Sequence, residues 1–178
     1  MSLPSASRRR TLALLGALPL ALAGCGFQLR GPRPMPFDSI YLGMYEYSEL
    51  ATAIKRQLRA NGKTEVTSRP EEAQVRLEVL ADTRSKVIMS LNALGKVREY
   101  QLNQRFRFRL VDKGGAEIIG PSEISLRRDM PYDDTQVLAK EQEEKLLYQD
   151  MQKDLIQQLL RRLATARMPG AADTPPQS

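Results

Sequence analysis

The sequence predicts an α+β fold: a two-layer sandwich in which two helices pack on one face of a mostly antiparallel or mixed sheet of about four strands. Three observations carry that expectation. Two segments repeat apolar residues at helical spacing, the stretch between them alternates apolar and polar residues with a period of two, and turn-forming residues divide that stretch into separate strands.

In chain order, Phe37 to Leu42 reads as a short first strand and Gly43 to Tyr47 as a turn. Ser48 is a suitable N-cap with Glu49 behind it. Leu50, Ile54 and Leu58 then recur every four residues while Lys55, Arg56 and Arg59 take the other side, so this is an amphipathic helix, stopped by Asn61-Gly62. Ala73, Val75, Leu77 and Val79 alternate with Gln74, Arg76 and Glu78, the pattern of a half-buried strand that continues or restarts through Val87 to Leu91. Asn92 to Gly95 supplies turn chemistry. The next strand places Tyr100, Leu102, Phe106, Phe108 and Leu110 on one face and Gln101, Asn103, Arg105, Arg107 and Arg109 on the other. Lys113-Gly114-Gly115 turns the chain, and Glu117 to Met130 reads as a further strand of a meander, with Gly120-Pro121 as a bulge or edge break. Asp133 and Asp134 offer an N-cap. From Thr135 to Ala166 there is neither Gly nor Pro, and Leu147, Met151, Leu155, Leu159 and Leu163 stand four apart, which predicts a long helix.

The segments outside this domain, residues 37–167, have other compositions. Residues 1–24 read as a secretory signal: Arg8-Arg9-Arg10, then an apolar run from Leu12 to Leu22, then Ala23-Gly24. The run is about 11 residues, too short for a spanning helix, which needs roughly 20. Leu22-Ala23-Gly24-Cys25 resembles the bacterial lipobox, whose Cys receives a diacylglycerol before cleavage, so Cys25, the chain's single cysteine, is the expected lipidation site and membrane anchor. By the same resemblance, Gly26 in place of an Asp implies onward sorting to the outer membrane. Ser7-Arg8-Arg9-Arg10 fits a twin-arginine signal and a plain charged n-region alike. Residues 25–36 contain Gly31, Pro32, Pro34 and Pro36 and read as an extended linker, and residues 168–178 as a disordered tail.

Composition narrows the chemistry. The chain has no His and one Cys, which excludes His-dependent triads, His-ligated metals, intramolecular disulfides and Cys-x-x-Cys redox pairs. No cofactor or metal is expected. Residues 1–24 hold three of the 27 basic side chains and none of the 21 acidic ones, so their removal lowers the formal charge from +6 to +3 and disfavours a nucleic-acid partner.

A family resemblance rests on Cys25-Gly26-Phe27-Gln28-Leu29-Arg30-Gly31, on Leu58-Arg59-Ala60-Asn61-Gly62 at the end of the first helix, on Glu99-Tyr100-Gln101, and on Leu138-Ala139-Lys140-Glu141 opening the last helix. Together, in order from Cys25 to about Leu163, these resemble the LptE family, lipoproteins of the outer-membrane lipopolysaccharide translocon. The resemblance implies a protein that is not an enzyme. It implies a heterodimer with the β-barrel LptD, whose lumen the domain plugs from the periplasmic side and whose assembly it assists, and contact with lipopolysaccharide in transit to the cell surface. A barrel lumen is polar, which suits the polar face from Gln101 to Arg109.

By the same resemblance Lys140 is a lipopolysaccharide-binding position. The family's second basic position falls on Ala93 here, a departure, and Lys96 and Arg98 in the same turn region are the candidates to supply the charge. Read without the family, Lys140 fits a solvated surface lysine and the Arg105, Arg107, Arg109 stripe a wet sheet face. Met89, Leu91 and Leu94 fit an exposed apolar tip or core packing equally. Two other functions compete: a lipoprotein of another envelope-assembly complex, and a carboxylate-based glycan hydrolase using Asp133, Asp134, Glu141, Glu143 or Glu144.

Overall fold

The computed structural model describes residues 34–62 and 64–168; the signal segment, Cys25, the first part of the linker and the tail from residue 169 lie outside the described residues. The elements are β1 (Ser39–Gly43), α1 (Glu49–Asn61), β2 (Glu65–Thr67), β3 (Val75–Leu91), β4 (Val97–Asp112), β5 (Glu117–Pro131) and α2 (Val137–Ala164). The sheet has five strands in the order β2-β1-β3-β4-β5. β1 runs parallel to both its neighbours, while β3, β4 and β5 form an antiparallel meander, so the sheet is mixed.

The expected count of about four strands is corrected to five by β2, whose three residues pair with Ser39, Ile40 and Tyr41 of β1. Three residues are too few to show a period, which is why the sequence hid it. The long helix starts two residues later than Thr135, because a 3-10 turn over Asp134–Gln136 comes first and Asp133 caps that turn instead of the helix.

Each element follows from its residues. The Ser48 side chain accepts a hydrogen bond from the Ala51 N–H at 3.1 Å, which satisfies one orphan donor of α1. Leu50, Ile54 and Leu58 of that helix are buried against Ile40, Leu42, Val75 and Leu77. β3 is one continuous strand of 17 residues with a bulge between Val79 and Ala81. The bulge reverses the parity of the strand, so Leu77 and Val79 face the helices before it and Arg84 and Lys86 face them after it. A second irregularity lies where the sequence placed it: Phe108 pairs with Ser122 and Leu110 with Ile119, which leaves Gly120 and Pro121 unpaired in β5.

The core sits between sheet and helices. Phe106, Phe108, Leu110, Ile124 and Met130 meet Met151, Leu155, Leu159 and Leu163 of α2, all fully or almost fully buried. Each such side chain contributes roughly 1.5–3 kcal/mol by leaving water. The opposite sheet face, carrying Asn103, Arg105, Arg107 and Arg109, has no covering layer among the described residues.

Candidate functional site

The β3–β4 turn and the start of α2 come together at one end of the sheet. Asn92 builds the turn: its side-chain oxygen accepts from the N–H groups of Leu94 at 2.9 Å and Lys96 at 3.0 Å, and Gly95 takes φ +74°, which L side chains rarely adopt. This fixes the backbone of Lys96 so that its ammonium reaches Asp134 at 2.5 Å. The Arg98 carbonyl accepts from the Tyr132 N–H at 2.8 Å, which ties the end of β5 to β4 directly before the connection to α2.

Lys140 lies in the first turn of α2 and pairs with Glu143 at 2.8 Å. Asp133 directly precedes Asp134, the partner of Lys96. Hydrogen bonds from the Thr135 backbone and hydroxyl hold the Asp133 carboxyl below the usual range, and the charges of Lys140 and Lys96 add to this. The Lys96 ammonium is held above its ordinary value by the hydrogen bond and charge of Asp134. Lys96, through Asp134, and Lys140 are thus both attached to the start of α2, although 44 positions separate them in the sequence. Arg98 is exposed, on the same strand face as Tyr100, and forms no ion pair among the described residues. Ala93 lies in the turn itself and brings no charge.

Sequence reasoning missed the cluster behind these cations. Lys86 pairs with Glu144 at 2.6 Å and lies 4.2 Å from the centroid of Tyr100, which meets Tyr132 edge to face at 5.0 Å. Burial opposes the charge on Lys86, but Glu144 and the two tyrosines outweigh it and leave the ammonium above its ordinary value. Nothing in the residue order announces Lys86 as facing the helix, because the bulge at Leu80 reverses the count. Beyond this cluster, Val87, Met89, Leu91 and Leu94 are exposed, Leu94 at 83%, and Leu138 at the start of α2 is 78% exposed. The two readings of Met89, Leu91 and Leu94 thus resolve to an exposed apolar tip.

Of the five acidic residues considered for glycan hydrolysis, Glu141 is exposed and four have other engagements. Asp133 caps, Asp134 holds Lys96, Glu143 holds Lys140 and Glu144 holds Lys86. No group of three or more His, Cys, Asp or Glu is placed to hold a metal among the described residues. No helix of those residues is long and apolar enough to cross a membrane. A larger cavity of about 590 Å³ lies between α1 and α2, lined by Tyr47, Glu49, Arg56, Gln149, Lys153 and their neighbours, and none of the expected site residues borders it.

The fold and its cationic, apolar-tipped end define a class: an α+β domain with an open polar sheet face and a projecting hairpin. The lipopolysaccharide-assembly model of the LptE family matches residues 37–163, and the chain belongs to that family. It is 32% identical over 162 residues to the LPS-assembly lipoprotein LptE of Yersinia pestis (strain Pestoides F), covering 89% of this chain and 77% of the relative. The solution structure of an uncharacterized lipoprotein B from Nitrosomonas europaea is similar at a TM-score of 0.68 and 35% identity, over 78% of this chain and 90% of that one. The rare lipoprotein B from Shewanella oneidensis gives 0.62 and 26%, over 71% and 94%. A minor lipoprotein from Acinetobacter baumannii gives 0.61 and 26%, over 76% and 100%.

Proposed function

We propose that the chain is anchored to the outer membrane through lipid on Cys25, after removal of residues 1–24, and that its domain occupies and helps assemble the LptD β-barrel while contacting lipopolysaccharide on its way to the surface. Family membership supports the role in lipopolysaccharide assembly. The observation that carries the contact site is the Lys96–Asp134 pair at 2.5 Å, which joins the β3–β4 turn to the residues directly before α2, the helix whose first turn holds Lys140; Arg98 is exposed two residues along β4, and the turn carries an apolar tip. Lipopolysaccharide joins phosphates to acyl chains, so a cationic cluster next to an apolar tip matches both halves of one amphiphile. In this reading Lys140, Lys96 and Arg98 bind the phosphates, and Lys96 takes over from the uncharged Ala93.

The test is a mild-detergent pull-down of the tagged, lipidated chain from a Gram-negative envelope, with mass spectrometry of what remains bound and a lipopolysaccharide-binding assay on the eluate. Recovery of one large outer-membrane barrel at about equal stoichiometry is expected. Lys140→Glu is expected to weaken lipopolysaccharide binding without loss of helicity, and Cys25→Ala to release the chain from washed membranes. Recovery of the chain alone, with no bound lipopolysaccharide, would remove this reading.

A further inference from the structure

The uncovered sheet face carries a site of its own. Strand register aligns Thr83, Arg105 and Ser125 in one cross-strand row and Ser85, Asn103 and Arg127 in the next. The two rows line a cavity of about 350 Å³. Besides Gln104, which also borders it but is buried on the core face, its lining is three hydroxyls, one carboxamide and two guanidinium groups, with no aromatic ring among them.

The charge there is unbalanced toward the positive. Arg105 shares Glu123 at 3.2 Å, Asp129 is taken by the Gln101 amide at 3.0 Å, and Arg127 meets no carboxylate within 4.0 Å among the described residues. Hydroxyls and amides both donate and accept, as a saccharide's own hydroxyls do. A guanidinium fork matches phosphate or carboxylate oxygens in pairs. Without a ring to stack on a sugar face, the affinity must come from the anion.

We propose that these two rows bind the phosphorylated oligosaccharide of lipopolysaccharide, at a site separate from Lys140, with Arg127 and Arg105 on a phosphate and Asn103, Ser125, Thr83 and Ser85 on sugar hydroxyls. The identity of the ligand rests on the function proposed above; the site rests on the register. The amphiphile's acyl end then lies toward the hairpin tip and its sugars along the open face.

The experiment titrates phosphorylated core oligosaccharide, freed of its lipid moiety, into the full chain in detergent, followed by calorimetry and by amide shifts at residues 83, 85, 103, 125 and 127. Arg127→Gln is expected to weaken binding about tenfold or more, the scale of a lost charge-assisted hydrogen bond, and Asn103→Ala to weaken it several-fold. Dephosphorylated sugar should bind weakly and identically to wild type and Arg127→Gln, and Lys113→Gln, an equal loss of charge at the exposed β4–β5 turn, should leave oligosaccharide binding unchanged. Failure of the oligosaccharide to bind, while intact lipopolysaccharide still binds in a Lys140-dependent way, would overturn this site and leave the proposed function standing. Loss of barrel recovery in Arg127→Gln with unchanged oligosaccharide binding would also overturn it and assign the face to the barrel wall. Oligosaccharide binding that depends on Arg127, in a chain that does not bind intact lipopolysaccharide, would keep the site and remove the function.

Discussion

Where β3 and β4 pair at Leu77 and Leu110, they lie in the core shared with α1 and the second half of α2, and the buried side chains are almost all apolar. Where the same two strands pair at Lys86 and Leu102, they lie beside the first half of α2, and much of what joins the layers is charged or aromatic: Lys86 to Glu144, Arg84 to Gln152 at 2.8 Å, and Arg84 over the Tyr148 ring at 5.3 Å. The six buried residues of α2 all lie at Met151 or beyond. One pair of strands thus belongs to two regions, a body held by non-directional burial and an arm held by directional polar contacts. Apolar burial tolerates no water, whereas exposed ion pairs exchange partners at little cost. The arm, where the cations are, is therefore the region able to give its partners to a ligand.

The largest break in this comparison comes from the body. Leu155→Ala removes a fully buried side chain and is expected to cost about 2–5 kcal/mol in urea unfolding, a whole-domain effect. A loss under about 1 kcal/mol would show that the body is not the stabilising region. Next in size is Gln104, fully buried on the core face of β4 with neither side-chain polar atom hydrogen-bonded. Gln104→Leu is expected to raise stability by about 1–2 kcal/mol, because it removes an uncompensated desolvation cost; a fall would mean that the amide has a partner in the assembled protein.

The arm should respond more weakly. Glu144→Gln is expected to change global stability by less than about 1 kcal/mol while speeding amide exchange around Lys86 and Tyr100. Unchanged exchange there would mean that the aromatic contacts alone hold the arm. Smallest is the pH response of the Lys96–Asp134 pair. With the Lys96 value raised in the fold, its contribution is fully present below the ordinary lysine value of 10.5 and is lost as pH rises through the folded value. Asp133, lowered in the fold, contributes above the ordinary carboxylate value of 3.8, and this is lost as pH falls through the folded value. The turn resonances of Asn92 to Lys96 should thus stay constant through neutral pH and move only at these two ends.

The body was the legible part of the sequence. Leu50, Ile54 and Leu58, the even-numbered apolar residues of β4, and the series from Met151 to Leu163 each carry a period that survives folding, because burial imposes it. The arm was less legible. Its contacts depend on the parity change at Leu80 and on pairings of residues far apart, such as Lys86 with Glu144, which no local pattern encodes. Gln104 also escaped, since a polar residue among Leu102, Phe106 and Phe108 breaks the alternation it occupies. Lys140 entered through family likeness, and the Lys96–Asp134 pair that brings the turn to the start of α2 likewise joins residues far apart in the chain.

β1 lies between β2 and β3, and both follow it in the chain. The first strand to be synthesised is therefore the one that must wait for two later partners, the second of them reaching to Glu78, before its Ile40 and Leu42 leave water. β3, β4 and β5, by contrast, close on sequence neighbours through the turns at Gly95 and Gly115 and can zip as soon as they emerge. Assembly thus runs against the direction of synthesis: pulse-labelled amides of β4 are expected to gain protection before those of β1, and simultaneous protection would refute that order. A newly made chain thus holds its N-terminal strand unpaired while the meander behind it closes.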